Sequence, residues 1–428
     1  TFFFFYIMIK PNFNTIGCFL FALLHNMIYP VGYKCPQNII KSGKGDFIMF
    51  EIVNNRQIIF GENKTKEICG ILKWYHKKKV FFSTFSKNAE ASKDIERMLN
   101  EAQIEYVLYD QIVGEPDLPM INGGRDLFLA EHCDCTLALG GGSVIDVTKA
   151  IGMLAVNGGN VEEYQMEGRQ VTQVPPLFIA IPTTSGTGAE ATKVSVVLNN
   201  NNGLKKSLYH TTMIADIVIL DPTLTVSLPE KITVSTGMDA LSHAIESYVS
   251  LNASPLSEMY SLKSMELINE NLEKAVKHPD SLEARGNMML GSYLGGCAIT
   301  AGIGIAHIMA QPLGAMFHIP HGDACSIFLP AAMELNLPYA AEKYARIAQN
   351  FGVSDSSKTA IENGKEAIEH VKKLREAVHA PSHIAPYIQK MPTEQILLDT
   401  IKRTTGHITC NPKPLDDQLI LDIFQMVQ

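Results

Sequence analysis

Four short stretches of this 428-residue chain bring carboxylates, imidazoles, hydroxyls and glycines together at spacings that allow chemistry. In GMDALSHAIESY (Gly237–Tyr248), Asp239 and His243 stand at i and i+4, so a helix sets both on one face. The interleaved Ala240, Leu241, Ala244 and Ile245 imply burial, and a buried carboxylate beside a buried imidazole needs a partner. A metal ion satisfies both groups; so does an Asp–His hydrogen bond in the core. His243 and Glu246 form H-x-x-E, but Ser247 stands where the inverted zincin pattern needs a second histidine.

GIAHIMAQPLGAMFHIPHG (Gly304–Gly322) holds three of the thirteen histidines, His307, His318 and His321. On a continuous helix His307 and His318 share a side but lie roughly 16 Å apart, and His307 and His321 lie roughly 21 Å apart, too far to share an ion. Pro312, Gly314 and Pro320 give the chain means to stop and turn. A shared metal therefore demands a bend between Leu313 and Pro320. Gln311, one turn after His307, is an uncharged amide in this histidine-rich segment.

GGGS (Gly140–Ser143) follows an apolar run and opens a helical pattern. Such a turn lets backbone approach a pyrophosphate at a helix N-terminus, and it also serves plain strand–helix packing. It is neither the G-x-G-x-x-G fingerprint nor a P-loop. Asp146 and Lys149, three residues apart, form a surface ion pair or line a site. PTTSGTGAE (Pro182–Glu190) sets Thr183, Thr184, Ser185 and Thr187 after another apolar run, where they can bind a cofactor or cap a helix with Glu190 in its first turn. Two such loops at strand C-terminal ends reinforce each other, because open α/β sheets bind ligands there.

The elements that must position these groups fall into two parts. EIVNNRQIIFG reads as a hairpin-like pair of short strands ending at Gly61, KEICGILKWYHKK as a helix and KVFFSTF as a buried strand. AEASKDIERMLNEAQ reads as an amphipathic helix on Ile95, Met98 and Leu99, and IEYVLYD as a strand. CTLALGGGSVIDVTKAIGML reads as strand, turn and helix, PLFIAIPTTSGTGAEAT as strand and loop, and ADIVILDP as a last strand. This alternation indicates a mostly parallel α/β sheet. Beyond Pro222 the patterns are helical, so the boundary is expected near residue 225, with domains over 47–224 and 225–428. Residues 1–46 form an atypical extension whose apolar Ile16–Tyr29 run is too short to span a bilayer. It matches a signal h-region or translated upstream sequence before a start near Met49, and it is expected to be either not native or disordered.

Composition narrows the function. Thirty-six basic against forty-four acidic residues, net charge -8, argue against nucleic acid as the main partner. Eight cysteines without a C-x-x-C pair indicate reduced thiols in a cytosolic protein. No stable membrane association is expected.

In order and spacing, GGGSVIDVTKAI, IPTTSGTGAEAT, GMDALSHAIESY and GIAHIMAQPLGAMFHIPHG together resemble the iron-containing (metal-dependent, group III) alcohol dehydrogenase family over about residues 47–428. The resemblance implies a Rossmann-like α/β dinucleotide-binding domain followed by an all-α metal domain, a dehydroquinate synthase-like architecture. It implies Asp239, His243, His307 and His321 as ligands of Fe2+, or of Zn2+. It implies NAD or NADP against Gly141, Gly142 and Ser143, with Thr183, Thr184 and Thr187 nearby and Asp146 and Lys205 lining the cleft. The reaction implied is hydride transfer between that cofactor and a small primary alcohol or aldehyde, in a cytoplasmic homodimer or higher homo-oligomer. Two positions depart from the pattern. Gln311 replaces a histidine often assigned to proton relay, which leaves water, a cofactor hydroxyl or His318 to carry the proton. Phe85 stands where NAD-preferring relatives commonly place an aspartate, which leaves NADP(H) open. Competing readings are a same-fold glycerol-type dehydrogenase and a metal-binding homologue whose catalysis is impaired by Gln311.

Overall fold

A computed structural model describes residues 50–405 and 409–428, so the extension 1–46 lies outside the described residues. The strands are β1 (Gln57–Phe60), β2 (Lys79–Thr84), β3 (Glu105–Tyr109), β4 (Cys135–Gly140), β5 (Leu177–Pro182), β6 (Val194–Asn199), β7 (Leu204–Tyr209) and β8 (Ile217–Leu220). Six of them make one sheet in the order β1-β8-β5-β4-β2-β3, with every pairing parallel. β4 and β5 are buried along their whole length, as a parallel strand covered on both faces must be, and their sequences are accordingly continuous apolar runs.

The helices within this part are α1 (Ile68–Trp74), α2 (Glu90–Glu101), α3 (Leu118–Ala130), α4 (Gly142–Asn157) and α5 (Val161–Met166). From Glu230 onward every regular element among the described residues is helical: α6 (Glu230–Val249), α7 (Pro255–Lys277), α8 (Leu282–Ala298), α9 (Ile305–Phe317), α10 (His321–Asn336), α11 (Ala341–Asn350), α12 (Ala360–Ala377), α13 (Glu394–Thr405) and α14 (Asp417–Met426), with short 3-10 turns between some of them. A Rossmann-like parallel sheet followed by a helical part is thus the architecture. No single helix among the described residues is long and apolar enough to cross a membrane.

Two sequence expectations differ from the structure. EIVNNRQIIFG forms no hairpin: only Gln57–Phe60 is a strand, and it pairs in parallel with β8. The residues before it are committed elsewhere, since the Asn55 amide donates to the carbonyls of Glu190 and Ala215 and Arg56 pairs with Asp216. Conversely, β6 and β7 form an antiparallel hairpin that is not among the strands expected from the sequence. Its alternating burial and its Asn200–Gly203 turn, with Gly203 at φ +70°, are hairpin signals.

A close glycine crossing joins the two parts. A Cβ on Gly296 of α8 would lie 2.5 Å from the Gly188 carbonyl oxygen, and Gly188 itself needs φ +57°. Only glycine at both positions lets the loop after β5 rest on α8. The same loop packs on α6, where a Cβ on Gly186 would meet Thr236 at 2.7 Å. Helix α6 carries Asp239 and His243, so the polar loop and the histidine-bearing helices are fixed against each other.

Candidate metal centre and adjoining cofactor cleft

Helix α6 buries Asp239 and His243 on one face, as their spacing requires. His307 lies in the first turn of α9, and His321 opens α10. Between them α9 ends at Phe317, His318 takes a left-handed φ of 55°, and Pro320 starts the next helix. That bend falls inside the interval that a shared ion demands. It brings the His307 and His321 rings to 5.6 Å between centroids, against the roughly 21 Å of a straight helix.

The Asp239 carboxylate is the hub. Its Oδ1 lies 3.5 Å from His307 Nε2, 3.6 Å from His321 Nε2 and 3.9 Å from His243 Nε2. The His243 ring stacks on His307 with centroids 4.4 Å apart. Asp239 Oδ1 and His307 Nε2 are buried and make no hydrogen bond, which marks a place for a cation among groups whose desolvation otherwise goes uncompensated. His321 keeps 37% of its side chain exposed, so the cluster opens to solvent on that side.

Electrostatics agree with that reading. Burial works against the Asp239 charge, yet His243, His321 and His307 hold its carboxyl well below the usual range. Burial also pushes His243 down to about 4, keeping the imidazole neutral and its lone pair free. Burial lowers His307 too, but Cys325, Asp239 and Glu246 outweigh it and hold His307 well above its ordinary value.

Two neighbours have no role in the sequence-based site, although Glu246 is noted there in H-x-x-E. Glu246 places Oε2 at 2.5 Å from His307 Nδ1 and accepts from the backbone N–H of Ala306 through Oε1 at 2.6 Å. It therefore fixes the His307 ring, with Nε2 toward Asp239, and caps α9 in one contact set. Its signal was a charged residue one turn after His243 on a helix otherwise apolar at that level. Cys325 follows His321 by one turn of α10, and its Sγ lies 3.7 Å from His321 Nε2. Donor atoms of Asp239, His307, His321 and Cys325 all lie within 4.8 Å of one another. Burial pushes the Cys325 thiol up to about 12, so it stands protonated in the protein alone.

The two polar loops meet beside this centre, at the C-terminal ends of the adjacent strands β4 and β5. Gly141 is the N-cap of α4. A Cβ on Gly142 would lie 2.7 Å from Thr187 Oγ1, and one on Gly141 3.3 Å from Thr184 Oγ1. The glycines thus make room for the threonine loop as well as for a ligand at the helix N-terminus, where Ser143 is partly exposed. Thr183 is buried, and its N–H donates to the Gly140 carbonyl at 3.0 Å. Asp146 is buried rather than on the surface: its Oδ2 accepts from Val196 N at 2.9 Å, and its Oδ1 lies 3.3 Å from Lys149 Nζ. Lys149 donates onward to the carbonyls of Ala189 and Val194, both at 2.7 Å, which fastens the loop after β5 to α4. Lys205 on β7 pairs with Glu115 at 2.7 Å and lies close enough to bias both Asp146 and His321. Gln311 is partly exposed on α9, and His318 is exposed at its C-cap. Neither belongs to the cluster of donor atoms.

Comparison with known proteins covers both parts of the chain. The model of "Iron-containing alcohol dehydrogenase" matches residues 55–222, and that of "Fe-containing alcohol dehydrogenase family, C-terminal" matches residues 233–427. The chain is 32% identical over 373 residues to the NAD-dependent methanol dehydrogenase of Bacillus methanolicus, covering 86% of this chain and 97% of that one. It is 30% identical to the 1,3-propanediol dehydrogenase of Citrobacter freundii, covering 88% and 98%. Among solved structures, a 1,3-propanediol oxidoreductase superposes with TM-score 0.84 at 29% identity, covering 89% of this chain and all of that one, 100%. An alcohol dehydrogenase from Oenococcus oeni superposes with TM-score 0.83 at 28% identity, covering 89% and 100%. With both halves matched and the fold shared, the chain belongs to the iron-containing alcohol dehydrogenase family and is a metal-dependent alcohol dehydrogenase.

Proposed function

We propose that the protein transfers hydride between NAD(P)H and a small aldehyde, or back from the matching primary alcohol, at a divalent ion held by Asp239, His243, His307 and His321. The observation that carries this reading is the buried Asp239 Oδ1, without a hydrogen bond and with three imidazole nitrogens within 3.9 Å. When bound, the ion supplies Lewis acidity toward a carbonyl oxygen and the nicotinamide supplies the hydride. Four protein donors suit iron, whose higher coordination leaves room for substrate, better than a closed tetrahedral zinc shell.

The chain's residues do the rest. Asp239 contributes negative charge, and the neutral His243 a lone pair. Glu246 holds His307 so that Nε2 faces the carboxylate. Gly141, Gly142 and Ser143 present the α4 N-terminus to a pyrophosphate, while Thr183, Thr184 and Thr187 flank it and Asp146 and Lys205 line the cleft. Domains over 47–224 and 225–428 would place this cleft between the sheet and the helices, supported by a sheet that ends at Leu220 and a helical part that begins at Glu230. Gln311 orients the substrate hydroxyl by hydrogen bonding. The proton passes to solvent by the open His321 side, with His318 at the rim. Phe85, 47% exposed at the end of β2, puts no acid in the way of a 2′-phosphate, so NADP(H) is accepted alongside NAD(H).

Cytoplasmic residence and homo-oligomeric assembly belong to the proposal. The free thiols of Cys69, Cys133, Cys135, Cys297, Cys325 and Cys410 support the first, and light scattering tests the second. The function itself is tested by following NADH and NADPH oxidation with short aldehydes after anaerobic iron loading. Turnover with at least one aldehyde is expected. No turnover with any would refute the proposal in favour of an impaired metal-binding homologue, the reading that Gln311 favours.

A further inference from the structure

We propose that Cys325 supplies a sulfur donor to the ion held at this centre, beside Asp239, His307 and His321. The inference rests on the metal site of the preceding section and adds a ligand to it.

The geometry argues for a donor rather than a bystander. Cys325 is fully buried and sits one turn after His321, so α10 presents imidazole and thiol on the same face. Tetrahedral ligands bonded at 2.0–2.3 Å stand about 3.3–3.8 Å from one another. The separations of 3.5 Å from Asp239 to His307, 3.6 Å from Asp239 to His321 and 3.7 Å from Cys325 to His321 already fall in that range. No pair in the four-atom set exceeds 4.8 Å, so closing it requires movement of about 1 Å at most, within reach of a small side-chain rotation. Two members, Asp239 Oδ1 and His307 Nε2, are buried without hydrogen bonds and face the same space. His243 lies outside that four-atom set; stacked on His307 with Nε2 3.9 Å from Asp239 Oδ1, it would add a fifth donor or take the place of one of the four.

Coordination forms a metal–sulfur bond and breaks the S–H bond, with the proton leaving to solvent past the exposed edge of His321. No oxidation state changes. A thiolate in the shell favours borderline and soft ions such as zinc, cobalt or ferrous iron over hard manganese or magnesium.

The test uses the metal-free full chain titrated with Co2+, followed by absorption in the visible and near ultraviolet. Wild type should show ligand-field bands together with a sulfur-to-cobalt charge-transfer band, both saturating at one ion per chain. Cys325→Ser should keep the ligand-field bands and lose the charge-transfer band. Its zinc affinity should fall at least about 10-fold, the scale on which removing even an outer partner weakens a site, and its manganese affinity should move less. Cys325→Ala, which leaves no oxygen in place of sulfur, should behave alike if the loss reflects sulfur. Ligand-field bands without charge transfer in wild type would overturn the sulfur donor and leave the metal site standing. A charge-transfer band that persists in Cys325→Ser and Cys325→Ala would trace it to another thiol and overturn the inference. Absence of any cobalt binding would overturn both this inference and the metal site.

Discussion

Replacing Glu246 by Gln tests how the metal centre is held in shape. The wild-type carboxylate accepts from Ala306 N at 2.6 Å through one oxygen and contacts His307 Nδ1 at 2.5 Å through the other. An amide has one oxygen for these two duties. If the oxygen stays with Ala306, the NH2 group faces Nδ1, which must then accept; the ring proton moves to Nε2 and blocks the atom aimed at the ion. If the oxygen turns to His307, the Ala306 N–H is left buried against another donor, at about 1–3 kcal/mol. The first outcome costs metal affinity by about 10- to 100-fold, equivalent to about 1.4–2.8 kcal/mol. The second lowers the stability of the metal-free protein. Competition titrations with a chromophoric chelator measure the first, and urea unfolding of the metal-free chain the second. Glu246→Asp keeps two acceptor oxygens and should recover part of the affinity. Unchanged metal affinity together with unchanged stability in Glu246→Gln would refute the reasoning.

Further outcomes follow from other contacts. Gly142→Ala puts a Cβ 2.7 Å from Thr187 Oγ1; overpacking of about 1–3 kcal/mol should raise the KM for dinucleotide about tenfold or more with kcat less affected, measured by steady-state kinetics. Burial raises the Glu190 carboxyl from its ordinary 4.5 to about 7, so between those values the folded chain binds the extra proton and stability falls as pH rises. The decline should reach about 3 kcal/mol, and Glu190→Gln should flatten it in urea titrations of the metal-free protein across that window. Phe85→Asp should shift the ratio of kcat/KM for NADH over NADPH toward NADH by about tenfold or more, because an anion facing the 2′-phosphate is repelled.

What the sequence discloses is set by how far apart the cooperating residues lie. Asp239 and His243 share one helix, so spacing alone places them on one face. His307 and His321 do not, yet helix geometry states the condition for their meeting, a bend before Pro320, and the left-handed His318 meets it. Glu246 was less visible because its partner lies on another helix: it meets His307, sixty-one residues on, only through the packing of α6 against α9. Cys325 shares α10 with His321, but its approach to Asp239 and His307 also depends on helices packing together. In the α/β part the continuous apolar runs of β4 and β5 identify buried parallel strands directly. EIVNN looks equally strand-like, but the side-chain bonds of Asn55 hold that backbone off the sheet, a tertiary effect that alternation cannot register. Likewise Gly142 reads as a phosphate turn, whereas its contact with Thr187 shows that the two loops also define each other's shape.

A cation held at Asp239 would polarise a carbonyl, and a bound nicotinamide would supply the hydride to its carbon. Mass spectrometry of the alcohol formed from a short aldehyde and deuterated NADH or NADPH, by iron-loaded wild type and by Asp239→Asn, addresses it directly. One deuterium per product alcohol from wild type, with metal content and deuterated product both lost in Asp239→Asn, is the expected result. Deuterium transfer that persists at the wild-type rate in metal-free Asp239→Asn protein would contradict the account.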